Sequence, residues 1–168
     1  MAEGGKGLRP LVLDASVAIN LLATGQPWSI LAALDFRAHV PEQVLREVVR
    51  CPITKRGYEN DEKHPFRISP NVEIVQLSNA EVEDFVAIAQ HVGDGEAASI
   101  AVALARRLPL ALDDRRARSI AKARGGTISL VWTTELLRNP ALKHAFSADQ
   151  ADAFFADAIR HARMYVPK

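Results

Sequence analysis

Acidic residues in this chain stand where apolar runs stop. Asp14 closes "LRPLVL" and opens "ASVAINLL", the pair Asp113–Asp114 closes "LPLAL", and Asp94 and Glu96 open the apolar stretch "AASIAVALA". A carboxylate at a strand-to-helix joint is commonly a cap, favoured by roughly 0.3–1 kcal/mol at the positive end of the helix. It is also the group that holds a hard divalent cation, since Mg²⁺ and Mn²⁺ take oxygen ligands and keep part of their water. Several carboxylates brought to one point raise one another's pKa unless a cation neutralises them. Glu47, in the second half of "PEQVLREVVR", lies at the edge of that segment's apolar stripe, where an ordinary solvated glutamate is the alternative. Glu96 shares a helical face with Ile100 and Ala103 in a segment apolar nearly all round, and a carboxylate buried there needs a partner.

Other chemistries have less to stand on. The five histidines, His39, His64, His91, His144 and His161, have no metal-like spacing and are expected at structural or surface positions. A lone cysteine, Cys51, makes neither an intramolecular disulfide nor a thiolate zinc cluster, which agrees with a reducing compartment. Cations follow the last acid: Arg115, Arg118 and Lys122 fall on one helical face and could hold phosphates, with a solvated basic face as the competing reading. The segment 51–71 has no periodicity and is expected to be a long loop. Its Lys55, Arg56, Tyr58, Lys63, His64, Phe66 and Arg67 mix cations with rings that could stack on unpaired bases or meet a protein partner.

The elements that must position these residues alternate. Strands are expected at 8–13, 37–40, 72–77, 108–112 and 127–131, and helices at 15–22, 27–34, 41–50, 80–92, 93–107 and 113–124. An amphipathic helix lies in 147–165, with Phe154, Phe155, Ala158, Ile159 and Ala162 on its stripe. Such alternation implies an α/β domain with a central parallel sheet flanked by helices. Ligands then bind beyond the carboxyl ends of the strands, which puts Asp14 and Asp113–Asp114 on one edge. At 168 residues, 48% hydrophobic and 24% charged, with a net charge of +1, the chain suits one globular domain, and disordered and fibrous classes are excluded. No apolar run reaches membrane-spanning length and "MAEGGKGLRP" has no hydrophobic stretch, so a cytoplasmic location is expected.

In order, "LVLDASVAINLL", "VPEQVLREV" and "GDGEAASIAVALARRLPLALDDRRAR" resemble the motifs of PIN-domain nucleases, the family that includes VapC-type toxins. The resemblance runs from about Leu11 to about Val131, a core of about 8–131 with a helical C-terminal extension of about 132–165. It implies that Asp14, Glu47, Glu96 and Asp114 are the catalytic carboxylates and metal ligands, with Ser16 orienting a ligand from behind; a bare capping serine is the alternative. The family's third acid is usually aspartate, which makes Asp94 a competing ligand. The place of its usual Thr or Ser, two residues before the fourth acid, is taken by Leu112, and Asp113 offers a further carboxylate. The implied activity is Mg²⁺- or Mn²⁺-dependent hydrolysis of RNA by a toxin with a cognate antitoxin, itself a homodimer, with Arg115, Arg118 and Lys122 on the RNA. Two rivals stay open. One is a PIN scaffold that binds RNA or protein without cutting; the other is a phosphoryl-transfer or phospho-acceptor protein, which usually has a second aspartate where this chain has Ser16.

Overall fold

A computed structural model describes residues 7–58, 61–125 and 127–168. Its elements run β1 (Arg9–Leu13), α1 (Ala15–Leu22), α2 (Pro27–Ala33), β2 (Phe36–Pro41), α3 (Glu42–Glu47), a 3₁₀ turn (Asp61–Lys63), α4 (Pro65–Ile68), β3 (Val72–Val75) and α5 (Asn79–Ala89). They continue with α6 (Asp94–Arg106), β4 (Leu110–Ala111), α7 (Arg115–Ala123), β5 (Leu130–Val131), α8 (Thr133–Leu137), α9 (Leu142–Ala145) and α10 (Ala148–Ala162). The strands form one sheet in the order β3-β2-β1-β4-β5, and every pairing is parallel.

The central strand shows why the sheet needs helices on both faces. Leu11, Val12 and Leu13 are all fully buried, and successive side chains of a strand point to opposite sides. Leu11 and Leu13 join the larger core with Val17 and Leu21 of α1, Ile30 of α2 and Phe154 of α10. Val12 joins the other, with Ile88 of α5, Ile100 of α6 and Ala117 of α7. The chain builds outward from β1 to β2 and β3, then crosses to β4 and β5 on the other side. The switch point is therefore between β1 and β4, where Leu13 pairs with Ala111 and the Asp14 N–H donates to the Ala111 carbonyl at 3.1 Å.

The described residues of segment 51–71 are more structured than expected, residues 59 and 60 lying outside the described part. They fold back through an antiparallel bridge between Arg50 and Gly57 and through α4, and their rings face inward. Phe66 is buried and meets Trp28 edge-on at 5.3 Å, a His64 ring nitrogen lies 2.6 Å from the Val48 carbonyl, and Tyr58 packs on His64 at 4.7 Å. These rings close the core under the loop and are not a stacking surface for bases. Lys55 donates to the His161 carbonyl at 2.6 Å and Arg67 pairs with Glu42 at 3.1 Å, so two of the loop's cations also serve the fold.

The helix expected over 41–50 stops at Glu47, because Val48 leaves the helical region with ψ at 78°. Helices α8 and α9 fall within the helical extension expected over about 132–165, although neither was expected there as an element of its own. They are too short for a periodic signal, and Leu136, Leu137 and Leu142 anchor them in the larger core. Among the described residues no helix is long and apolar enough to cross a membrane.

Candidate active site

Asp14 follows directly from the end of β1 and caps α1. Its Oδ2 accepts the Ser16 hydroxyl at 2.6 Å and the Ser16 N–H at 3.4 Å. Its Oδ1 is buried and accepts nothing from any described residue. A cap needs one oxygen, and the second is left over at a cost that a fold tolerates only where something else satisfies it. Burial is the main cause that pushes the Asp14 carboxyl up to about 6, and the Glu47 charge adds to it, while the Ser16 hydroxyl and the backbone N–H groups of Ala15 and Ser16 pull the other way.

Helix α6 brings the next acid over β1. The Ser99 hydroxyl donates to the Leu13 carbonyl at 3.3 Å, and Glu96 lies one turn earlier on the same helix. Its Oε2 accepts the Gly93 N–H at 3.2 Å, which folds the carboxylate back over the start of α6. Burial raises Glu96 to about 7, reinforced by the charges of Asp14, Asp114 and Glu47; the Gly93 N–H opposes the rise. Glu47 reaches the same place from the end of α3, where its Oε1 accepts the Gly95 N–H at 2.8 Å. A Cβ on Gly95 would stand 2.6 Å from Glu47 Oε2, so the absence of a side chain there is what lets the Glu47 carboxylate approach. Spacing alone did not single out Gly95, though a glycine in the first turn of a buried helix was a visible signal.

The fourth acid and its neighbour take different paths. Asp114 is exposed and caps α7 with Oδ1 on the Ala117 N–H at 2.7 Å. Asp113 is buried: Oδ1 accepts the Thr133 N–H at 2.8 Å, and Oδ2 accepts the Thr133 hydroxyl at 2.6 Å and the Asn20 amide at 2.8 Å. With three donors on two oxygens, Asp113 ties β4 to α1 and α8. It also lines a cleft with Asp114, but most of its acceptor capacity is engaged by the fold, which leaves Asp114 as the freer candidate ligand. Asp94 is exposed at the first position of α6.

Ser16, Glu96, Asp114 and Arg115 line a cleft of about 550 Å³ whose opposite wall is the chain end Ala162–Tyr165. Glu47 opens onto an adjoining cleft of about 440 Å³. Of the three cations expected on one face, Arg115 sits at the cleft and Lys122 is exposed farther along α7. Arg118 is a correction: it is buried, donates to the Leu112 and Leu130 carbonyls at 2.7 and 3.3 Å, and stacks over Trp132 at 3.8 Å. Its neighbours Ala117 and Ala121 are also buried, so this face of α7 turns to the sheet and the Arg118 guanidinium is committed chiefly to the fold.

At the switch point of a parallel sheet, the charges of Asp14, Glu47 and Asp114 thus bear on Glu96, and that of Glu47 on Asp14, beside an aspartate oxygen that no described residue satisfies. A family model for the PIN domain matches residues 10–144. The chain belongs to the PIN-domain family. PIN domains are generally nucleases, and the acids lie at the end of the sheet where an open α/β fold binds its ligand. No curated protein and no solved structure matched the chain. The donor set of this PIN domain, all oxygen with Asp14 Oδ1 engaged by no described residue, fits a hard divalent cation. Among the described residues no three acidic, histidine or cysteine side chains stand close enough to enclose an ion by themselves, and an ion held here would keep much of its water.

Proposed function

We propose that this PIN domain is a Mg²⁺- or Mn²⁺-dependent endoribonuclease, the toxin of a toxin–antitoxin pair acting in the cytoplasm. The observation that carries the reading is the buried Asp14 Oδ1, unpartnered among the described residues, at the sheet edge to which Glu47, Glu96 and Asp114 are also brought. Those four side chains would hold a hydrated ion, since among the described residues no three stand close enough to enclose one directly. When bound, it supplies a water acidified toward neutrality and positive charge against the leaving oxygen. Ser16 holds Asp14 Oδ2 by its hydroxyl and leaves Oδ1 for the ligand. Gly95 holds Glu47 in place through its N–H, and Arg115 offers a cation to the phosphate at the cleft. Hydrolysis forms a bond from the water oxygen to phosphorus and breaks the bond from phosphorus to the 3′ oxygen, which takes up a proton. The products carry 5′-phosphate and 3′-hydroxyl ends.

The test is cleavage of single-stranded RNA by the purified chain with Mn²⁺ or Mg²⁺, with product ends mapped and EDTA as control. Ends bearing a 2′,3′-cyclic phosphate, or cleavage undiminished by EDTA, would refute the reading. The toxin role predicts growth arrest on expression, relieved by the product of an adjacent short reading frame. A homodimer belongs to the same proposal. Helix α2 turns Pro27, Ile30 and Leu31 inward, which leaves the exposed Ile159 of α10 as the better-placed contact. Light scattering that gives a monomer mass would remove it.

A second reading, a PIN scaffold that binds RNA without cutting, is favoured by the Glu96 carboxylate turned back onto Gly93. It predicts no stoichiometric Mn²⁺ uptake in calorimetry.

A further inference from the structure

The PIN match ends at residue 144, yet one wall of the acidic cleft is built after it, from Ala162 to Tyr165. This end of the chain is held in place. Met164 is buried and its N–H donates to the Ala158 carbonyl at 3.2 Å. Lys55 grips the His161 carbonyl from the other side. Arg163 ends α10 in the left-handed conformation, φ 56°, which turns the chain sharply and sends residues 164 and 165 along the cleft. Two side chains gain their position from that turn. Arg163 borders both the cleft of Glu96 and Asp114 and the adjoining cleft of Glu47, and it makes no ion pair with any described residue. Tyr165 is 44% exposed, has the Arg115 guanidinium over its ring at 5.6 Å, and lies 6.2 Å from the Trp132 ring.

A cation between two acidic clefts has no stabilising role toward the fold that these contacts reveal. A phosphodiester crossing from one cleft to the other would bring it a partner. An exposed ring flanked by a guanidinium and an indole, beside carboxylates that would act on a phosphate, is a surface on which an unpaired base stacks. We propose that the C-terminal segment is a substrate-positioning wall, with Arg163 holding a phosphate next to the scissile one and Tyr165 stacking on the base of an unpaired nucleotide in single-stranded RNA. The proposal rests on the nuclease reading for the identity of the ligand but not on cleavage.

The test uses the full chain and a fluorescein-labelled single-stranded oligoribonucleotide, followed by anisotropy in EDTA. Tyr165→Ala should weaken binding about tenfold and Tyr165→Phe should restore it, because stacking needs the ring and not the hydroxyl. Arg163→Gln should weaken binding and flatten its salt dependence by about 0.7 in log–log slope, one phosphate contact on a single strand. The same oligonucleotide annealed into a duplex should compete poorly. Thermal melts should match the wild type, since neither side chain is buried. With Mn²⁺ added, both weakened variants should raise KM and leave kcat nearly unchanged. Wild-type binding that neither Tyr165→Ala nor Arg163→Gln alters, or a wild type that does not bind the strand, would overturn the wall. RNA that binds in this tail-dependent way but is not cut would keep the wall and refute the nuclease reading. Tail-independent binding with metal-dependent cleavage would do the reverse.

Discussion

At the level of single residues, Asp14 is both cap and candidate ligand, and one substitution separates the two roles. Asn caps helices about as well as Asp, so Asp14→Asn should keep α1 intact. It also removes a buried charge whose pKa is raised from 3.8 to about 6, which costs the metal-free protein up to about 3 kcal/mol at neutral pH. The variant should therefore melt at or above the wild-type temperature in EDTA at pH 8, yet lose metal-dependent cleavage. Full activity in folded Asp14→Asn would remove Asp14 from the catalytic set. Gly95→Ala makes a parallel case. The clash falls on the far end of the flexible Glu47 side chain, which swings away at little cost, and alanine gains up to about 1 kcal/mol of helix propensity. Stability should hold or rise while the affinity for Mn²⁺ falls severalfold, as read by calorimetry against a thermal melt of the same sample.

Among the elements, α7 carries two arginines with opposite duties. Arg118 satisfies carbonyls at the ends of β4 and β5 and covers Trp132, so Arg118→Ala should cost about 2–4 kcal/mol in urea unfolding through two orphaned carbonyls and a lost cation–π contact. Arg115 is exposed and lines the cleft, with its guanidinium over the Tyr165 ring, so Arg115→Ala should barely change unfolding but should weaken RNA binding and its salt dependence. Equal effects of the two on RNA with no loss of stability in Arg118→Ala would restore the picture of one continuous basic face. The distinction was hidden because Arg115, Arg118 and Lys122 share a helical face only on paper. Which arc of an amphipathic helix meets the sheet is set by neighbours such as Trp132 that lie far along the chain.

Over the whole molecule, the clustered carboxylates link stability to pH. Asp14 and Glu96 are raised in the fold, to about 6 and about 7, from 3.8 and 4.5, so the folded state keeps protons that the unfolded chain has already released. Their contribution is fully present below about pH 4 and is lost as pH rises through 7. In EDTA the melting temperature should therefore decline across that window, in so far as these two groups govern it. Divalent ions bind the deprotonated form, so the stabilisation by excess Mn²⁺ should be larger at pH 8 than at pH 5. Differential scanning fluorimetry with and without Mn²⁺ at the two pH values checks both signs. A metal effect that is larger at pH 5 would contradict ligation by these carboxylates.

The order of strands and helices, the parallel sheet and the place of Asp14 and Asp114 at strand ends were determined by the sequence alone, because hydrophobic periodicity and capping are local and leave a local trace. Glu96 was legible for a similar reason, as a charge in a helix with no polar face. Tertiary structure decided the rest. Asp113 and Asp114 are adjacent and chemically identical in sequence, and only Thr133 and Asn20, brought in from α8 and α1, tie one into the fold and leave the other as an exposed cap beside the same cleft. The rings of segment 51–71 looked available until Trp28 and Val48 closed over them. Arg163 and Tyr165 carried no signal in sequence at all. Their place beside the acids depends on α10 packing across α1 and on one left-handed turn at its end, and contacts that distant in the chain have no period to read.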